Sequence, residues 1–591
     1  MSESSTSIKL NCYVIGDSPD LCTTLSLPLD TSISDLRIAF SKCYKAQGYG
    51  EVKQPIFYKV ERSPDDLLPR AEDQKLGGIG RVVRDFWPET DEIDRDLIHI
   101  LVHVTVPSDT GEATHVMPAE ELEDVSELAI GVAKPVRLKF LNELPDSSSS
   151  KAARPAAFRE QQTTNNYILI GRPAEHTGPP IVLYHPVFGR FLRNLRSLEP
   201  LSAITYARAV DYFQTSQALY KDESIRRGGR DESSRRLLGT VLGGLLMKSG
   251  DYDTRPDGVA TTSNGAWCII MEMKNEIGSG GSDPTIQAAQ SYSRCWKSLP
   301  GFVDRCCCPS ILIAIAGPWM SVLGAIFLDR PVIQPLTDFL WVGDNPSKPS
   351  DVDRIARVFH AISEARLELE SYYTHLPGPD QGDASIFPYP TDYIDSAGKQ
   401  VKFKYKKHVN RTGRASGKKE LVFFAQTLED SPTRIVVKFV TRYHSAAHRL
   451  LAREGLAPEL LYDGTMHLEN QPGPEHSMIV MEYLSGIDLG RSADHPLPSS
   501  VSADIKRALS LLHDQELVFA DLRRPNVMLV KDATGKVAGA KLVDFDWCGK
   551  HLEGRYPLSI NKTSIAWAEG VEPGALLNKA HDTEMWKQLG L

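Results

Sequence analysis

Basic residues are not in excess: 67 lysines and arginines stand against 76 aspartates and glutamates, for a net charge of -9. That balance excludes a chain drawn as a whole to nucleic acid or an anionic membrane, so any polyanion site must be a local patch. Paired cysteine spacing is missing too. The nine cysteines, three of them adjacent at Cys306-Cys307-Cys308, form no CxxC pair. An odd count without pairing reads as reduced thiols rather than a disulfide framework. A metal cluster at the triple cysteine would need a nearby histidine or second cysteine pair, and neither is visible. The first residues, MSESSTSIKLNCYV, lack the cationic start and apolar core of a secretory signal peptide. Long apolar runs are scarce. Residues 309–328, PSILIAIAGPWMSVLGAIFL, are uncharged and about as long as a membrane span. Gly317-Pro318 interrupts them and β-branched residues crowd their first half. The run predicts a strand, a turn and a second element in a buried core, and no membrane partner. No internal repeat is present.

The 591 residues exceed one ordinary core, and their make-up predicts a multidomain α+β and α/β chain. Residues 1–107 read as a small header. Two strand-like runs, IKLNCYVIG and TLSLPLD, lead to a helix opened by the capping box Ser32-Ile33-Ser34-Asp35, then to PIFYKV and LIHILVHVTVP. That is the order of a ubiquitin-like β-grasp, a fold suited to protein partners. Residues 108–165 turn to Ser, Glu and Pro, with SSSS at 147–150, and read as a linker. A second block, 166–345, holds a helix from Glu232 to Met247, a hairpin over 256–274, a helix near 284–298 and the apolar run. Residues 346–395 give a long amphipathic helix, with Ile355, Val358, Phe359, Ile362 and Leu369 near one face, then a Pro/Gly/Asp-rich break. The last block is 396–591.

Chemistry first shows at CIIMEMKNE, residues 268–276. On a strand Glu272 and Lys274 share a face, and buried charges need partners. Asn264-Gly265 predicts a hairpin that carries Asp257 toward them. Two carboxylates beside a lysine suit Mg2+ or Mn2+ held with water and phosphate oxygens. The alternative is a salt bridge from Asp257 or Glu272 to Lys274 on an exposed sheet face. Pro256-Asp257 … Glu272-Met273-Lys274 resembles the PD-(D/E)xK nuclease motif of the restriction-endonuclease-like α/β fold. The resemblance implies a further acid on a preceding helix, for which Glu232 is the candidate. It also implies a helper on the following helix, Gln287 or Gln290. Arg226, Arg227, Arg230, Arg235 and Arg236 offer phosphate contacts, or simply a solvated helix face.

The last block resembles a protein kinase. Val436-Val437-Lys438-Phe439 matches the strand whose lysine meets phosphates, and MIVMEYLSG, with Glu482, matches the hinge at adenine. Asp521 and Asn526 have the spacing of the catalytic loop, and KLVDFDW sets Asp544 at the metal-binding aspartate. ATP is the implied nucleotide. The departures are specific: Phe519 and Ala520 replace the loop His and Arg, and Asp546 replaces the DFG glycine. His448 stands where the helix glutamate would be, with Glu454 only at the helix end. No glycine-rich loop of the usual form exists; Gly413 and Gly417 lie in a basic stretch, 402–419, that could guide phosphates or DNA, act as a nuclear-import signal, or be simply a solvated loop. Asp582 resembles the aspartate that opens a later helix of the large lobe.

Header, nuclease-like block and kinase-like block together resemble the Crinkler (CRN) effectors of oomycetes and fungi. DFWPETDEIDRDLIHILVHVTVP is similar to the closing segment of their headers, while LNCYVIG occupies the place of the Leu-Phe-Leu-Ala-Lys-like motif. The resemblance implies a Mg2+-dependent endonuclease acting on double-stranded DNA in a host nucleus, with DNA damage and cell death as outcomes. Without a visible signal peptide, the cytoplasm or nucleus of the producing cell is the other expected location. The competing expectation is a kinase or pseudokinase signalling protein whose nuclease fold only binds.

Overall fold

The computed structural model describes five strands and a few neighbouring residues before 105, then residues 136–228, 256–376, 387–409 and 421–591, apart from 493–495, 533, 563 and 564. It is a mixed α/β protein with several separate sheets. Residues 1–115 form one compact unit and residues 116–591 another. Among the described residues no helix is long and apolar enough to cross a membrane.

In the first unit β1 (Ser7–Val14) pairs antiparallel with β2 (Cys22–Pro28) and parallel with β5 (Ile98–Val104). β3 (Pro55–Arg62) joins β5 on its other side and β4 (Gln74–Leu76) closes the edge, giving the order β2-β1-β5-β3-β4. Leu10, Leu25, Leu27, Leu36, Phe40 and Ile100 are buried in it. The capping box at 32–35 lies outside the described residues.

The second unit begins earlier than composition suggested. Residues 136–162, assigned by composition to a linker, are packed helix and turn. Phe140, Leu141 and Leu144 are buried in the main core, and Phe158 follows from α1 (Pro155–Gln162). Arg137 is fully buried, its guanidinium donating to the carbonyls of Val303 (2.9 Å), Cys306 (3.2 Å) and Leu328 (2.5 Å). Even the serine run is employed: Ser148 caps the turn at Ser149–Ala152, and Ser147 O accepts from Arg294 at 2.9 Å.

Two helices, α2 (Pro186–Arg196) and α3 (Ala203–Gln217), and the short α4 (Glu223–Gly228) lead to the central sheet. β6 (Gly258–Thr261) and β7 (Trp267–Lys274) form the expected hairpin. Gly265 turns it with φ +87°, a backbone that other residues rarely adopt, and its N–H donates to Thr262 O at 2.9 Å. α5 (Pro284–Lys297) crosses over to β8 (Ser310–Ala316), parallel to β7; β9 (Trp319–Phe327) and β10 (Pro331–Pro335) continue antiparallel, and β11 (Leu340–Trp341) pairs with β9. The uncharged run at 309–328 is thus strand, turn and strand. β7 and β8 are buried along their whole length, as strands covered on both faces must be. α5 packs on this sheet, and so does α6 (Asp351–Thr374), which buries all five residues of its apolar face. That helix belongs to the core rather than to a spacer. Cys306, Cys307 and Cys308 are free buried thiols in the same core.

The C-terminal part carries a six-stranded antiparallel sheet in the order β12-β13-β14-β15-β17-β16. Its strands are β12 (Asp392–Ile394), β13 (Gln400–His408), β14 (Val422–Thr427), β15 (Arg434–Val440), β16 (Leu460–Asp463) and β17 (Ser477–Glu482). α7 (Ser445–Arg453) follows β15. A lobe carrying two helices then holds α8 (Ser499–Asp514), two small antiparallel sheets formed by β18 (Leu517–Val518) with β21 (Gly549–Lys550) and β19 (Val527–Lys531) with β20 (Val537–Leu542), and α9 (Lys579–Gln588). In β13 Lys402 and Lys404 point outward between buried Val401, Phe403 and Tyr405; the rest of the basic stretch, 410–419 with Gly413 and Gly417, lies outside the described residues.

The two sheets of residues 256–482 share one continuous apolar cluster. Leu183 O accepts from Tyr389 N at 2.8 Å, and Arg193 donates to Gln471 O at 2.9 Å. At Gly189 on α2 a side chain is impossible, because a Cβ would sit 1.7 Å from Pro472 O.

His185, which caps α2 by accepting from Val187 N at 3.2 Å, packs edge-on to Tyr372. Burial, with Arg190 adding to it, pushes its imidazole down to about 3. The unfolded chain takes up that proton near pH 6.5 and the native chain does not, so stability falls with pH below 6.5. Denaturant titrations should show this residue costing about 1.4 kcal/mol between pH 7.5 and 5.5. In His185→Asn, which keeps a capping acceptor, that component of the pH dependence should vanish.

Candidate functional site

The register that sets Gly258 against Met271 puts Asp257 across from Glu272. Asp257 Oδ2 accepts from Met273 N at 2.8 Å, which fixes its carboxylate at the end of β7. Glu272 is 1% exposed, so every bond it makes must come from within the protein. α5 supplies them: Gln287 donates to Oε2 at 2.5 Å, and Ser291 Oγ to Oε1. Burial first, and then the Asp257 carboxylate, raise the Glu272 carboxyl well above the usual carboxylate range. A site of this kind favours either a proton or a cation.

Lys274, also buried, extends to Glu223 Oε2 on α4 at 3.6 Å. The expected alternative, an exposed salt bridge within the hairpin, does not fit, since β7 has no exposed face and the lysine's ion pair is with a different element. Lys274 forms one wall of an open cleft of about 520 Å³, together with Glu276, Ser279, Ser282, Ala316 and Phe339. Gln287 links the two regions, since its Oε1 accepts from cleft-lining Ser282 at 3.1 Å.

Two expected residues are engaged elsewhere. Gln290 turns away from Glu272, donating to Gln161 at 2.6 Å and accepting from Arg294 at 2.7 Å. Arg226 is spent internally on Glu276, Asn275 and the carbonyls of Ser216 and Ala218, tying α4 to the end of β7. Glu232 lies outside the described residues, as do Arg230, Arg235, Arg236 and the Arg227 side chain. Sequence reasoning missed Glu223, an acid on the helix that precedes the hairpin, and Ser291, one turn beyond Gln287. The spacing from Gln287 to Ser291 could have found the latter, because residues i and i+4 share a helix face.

Among the described residues no group of three or more His, Cys, Asp or Glu side chains is assembled to hold a metal. Asp257 and Glu272 offer two carboxylates, a donor set that suits Mg2+ or Mn2+ completed by water and phosphate oxygens and is too sparse for a closed protein cage.

The second cluster sits between the C-terminal sheet and the helical lobe. A cavity of about 150 Å³ has Val422, Val436, Met481, Met528 and Val543 as apolar walls and Lys438 and Asp544 at one end. Glu482 lines it, but its carboxylate accepts from Glu459 N at 3.1 Å and lies 3.8 Å from Lys541. Lys438 Nζ donates to Asp544 at 2.7 Å and to Asp546 at 2.6 Å. Asp521 is gripped by both arms of Arg523 and accepts from Asn526 at 2.9 Å; burial raises its carboxyl in spite of the arginine. Asp544 and Ala520 hold left-handed backbones, with φ +77° and +71°, strain of a kind that concentrates at working loops.

The replaced residues form a set of their own. Phe519 stands edge-on to Phe545, and His448 stacks on that ring at 4.7 Å. His448 is neutral, pushed down to about 4 by burial, with Tyr443 OH and Pro458 O as its partners. Fully buried Asp582 accepts from Phe519 N and Ala520 N, both at 2.8 Å.

No family model matches the chain, and no curated protein matches it. Among solved structures it is similar to the PK-1 kinase of Cydia pomonella granulovirus, at 20% identity and a TM-score of 0.17. That match covers 22% of this chain and 48% of the kinase, so the chain spans about half the length of that structure.

Two carboxylates facing each other in a buried site oppose folding. Asp257→Asn keeps the acceptor for Met273 N and removes one charge. In chelator it should melt roughly 2 °C above the wild type, and it should lose any stabilisation by Mg2+ or Mn2+. A lower melting temperature with an undiminished metal shift would count against a metal at this pair.

Proposed function

We propose that the chain is a divalent-metal-dependent DNA endonuclease of the PD-(D/E)xK kind, joined to a kinase-like module that binds nucleotide. One observation carries this: Asp257, Glu272 and Lys274 come together at one end of a buried hairpin, with the lysine opening into a cleft. Asp257 and Glu272 would hold Mg2+ or Mn2+, which when bound supplies a Lewis acid beside the scissile phosphate. Gln287 and Ser291 keep Glu272 oriented, so its carboxylate needs no reorganisation as a substrate arrives. Lys274 exchanges Glu223 for the phosphate and steadies charge developing on it. Glu232 stays the candidate for the further acid, and Glu223 is a second acid on a preceding helix, paired with Lys274.

Other observations support the remaining parts. The order β2-β1-β5-β3-β4, with β1 and β5 parallel, suits a β-grasp header able to meet protein partners. Lys438, Asn526 and Asp544 suit ATP with Mg2+. The combination fits a Crinkler-like effector that acts on double-stranded DNA in a nucleus. A second reading, a kinase or pseudokinase signalling protein with the nuclease fold as scaffold, draws on Arg523, which engages the Asp521 carboxylate where a base would act.

Purified full-length protein should nick or linearise plasmid DNA with Mg2+. Asp257→Ala and Glu272→Ala should each slow this by at least about a hundredfold. Cleavage indifferent to both substitutions would refute the nuclease assignment and leave the second reading. ATP should raise the melting temperature of the wild type and not of Lys438→Ala. Because both sheets share a core, Asp544→Ala should also change the cleavage rate.

A further inference from the structure

Lys438 is a nearly buried ammonium with two carboxylate partners, and the two are not equivalent. Asp544 lines the cavity and is the carboxylate that a nucleotide-bound cation would recruit. Once it turns to a cation, its hold on the lysine weakens. α7 offers no replacement. Its sequence, SAAHRLLAR, contains no acid, and the position nearest the expected glutamate is His448, engaged by Tyr443 and Pro458. Glu454, just past the helix, pairs with Arg507 at the surface. The remaining carboxylate is Asp546, in the position where the kinase pattern has glycine.

Asp546 is well fixed for such a task. Its own carbonyl accepts from Arg442 Nε at 2.8 Å, and Arg442 lies four residues beyond Lys438 on the same chain segment. Lysine and aspartate are therefore tied together twice, by side chain and through the arginine. Phe545, between the two aspartates, is clasped by Phe519 and His448, so the tripeptide cannot rotate without breaking that ring column. We propose that Asp546 is the positioning residue of the nucleotide site, holding Lys438 toward the phosphates of a nucleoside triphosphate while Asp544 is given to the cation. This rests on the nucleotide-binding reading above. It follows that the clamp is assembled without any inward movement of α7.

Affinities of the full-length protein for ATP and for adenosine, measured by calorimetry at saturating Mg2+, test this. Adenosine has no phosphates for Lys438 to meet, so its affinity would report on the apolar cavity alone. Asp546→Asn should weaken ATP binding by about tenfold, the effect of removing a charge-assisted hydrogen bond, and leave adenosine within twofold. Asp546→Glu should recover part of the loss. Equal losses for both ligands would mean a merely structural role and overturn the proposal, as would unchanged ATP affinity. A raised Mg2+ requirement with ATP affinity unchanged at saturation would assign Asp546 to the cation and overturn it too. If the wild type binds adenosine and ATP equally weakly, the nucleotide-site reading itself falls and takes this proposal with it; melting of unliganded Asp546→Asn at the wild-type temperature shows that the variant is folded.

Discussion

β7 is covered on both faces along its whole length, and from this the character of the site follows. A strand so placed can be apolar without cost, yet this one carries Glu272, which is closed off from water, and Lys274, which meets solvent only at the cleft wall. Each charge has to be answered by a neighbouring element. α5 answers Glu272 through Gln287 and Ser291, α4 answers Lys274 through Glu223, and the backbone of β7 itself holds Asp257. The helices around the hairpin are therefore constrained in identity and in rotation as well as in apolar contact. Such an arrangement sacrifices stability where two carboxylates meet, which is the usual sign of a site kept for chemistry.

The cluster around Lys438 follows a different logic. There the departures from the kinase pattern compensate one another. Phe519 and His448, at the positions of the pattern's loop histidine and helix glutamate, both meet the Phe545 ring, one edge-on and the other stacked. The charge removed from α7 reappears as Asp546. Lys438 has two carboxylate partners although α7 carries no acid.

Much of this was legible locally. Asn264-Gly265 fixed the hairpin because few dipeptides accept that turn, and Gly317-Pro318 marked the turn in the uncharged run because no helix or single strand passes through it. The spacing from Asp521 to Asn526 placed two residues that do meet. The failures came where composition stood in for geometry. Four serines read as linker, although a serine hydroxyl caps a turn and a serine carbonyl takes up Arg294. Gln290 and Gln287 look alike in sequence, and only the rotation of α5 against β7 separates them. Glu223 was out of reach, since it sits on a six-residue helix whose position is set by Arg226 and not by any periodic pattern.

The contact at Gly189 bears on what counts as a module. By resemblance the chain divides near residue 395, yet the carbonyl of Pro472 occupies the space where a side chain on α2 would be, and the apolar cluster continues across. The seam between the two parts is interior where that cluster runs, with polar ties such as Arg196 to Glu475 at its exposed margin. Neither half has a finished surface of its own there. Cutting the chain at that boundary would expose apolar surface on both pieces, and a substitution on one side of the seam must be accommodated by the other.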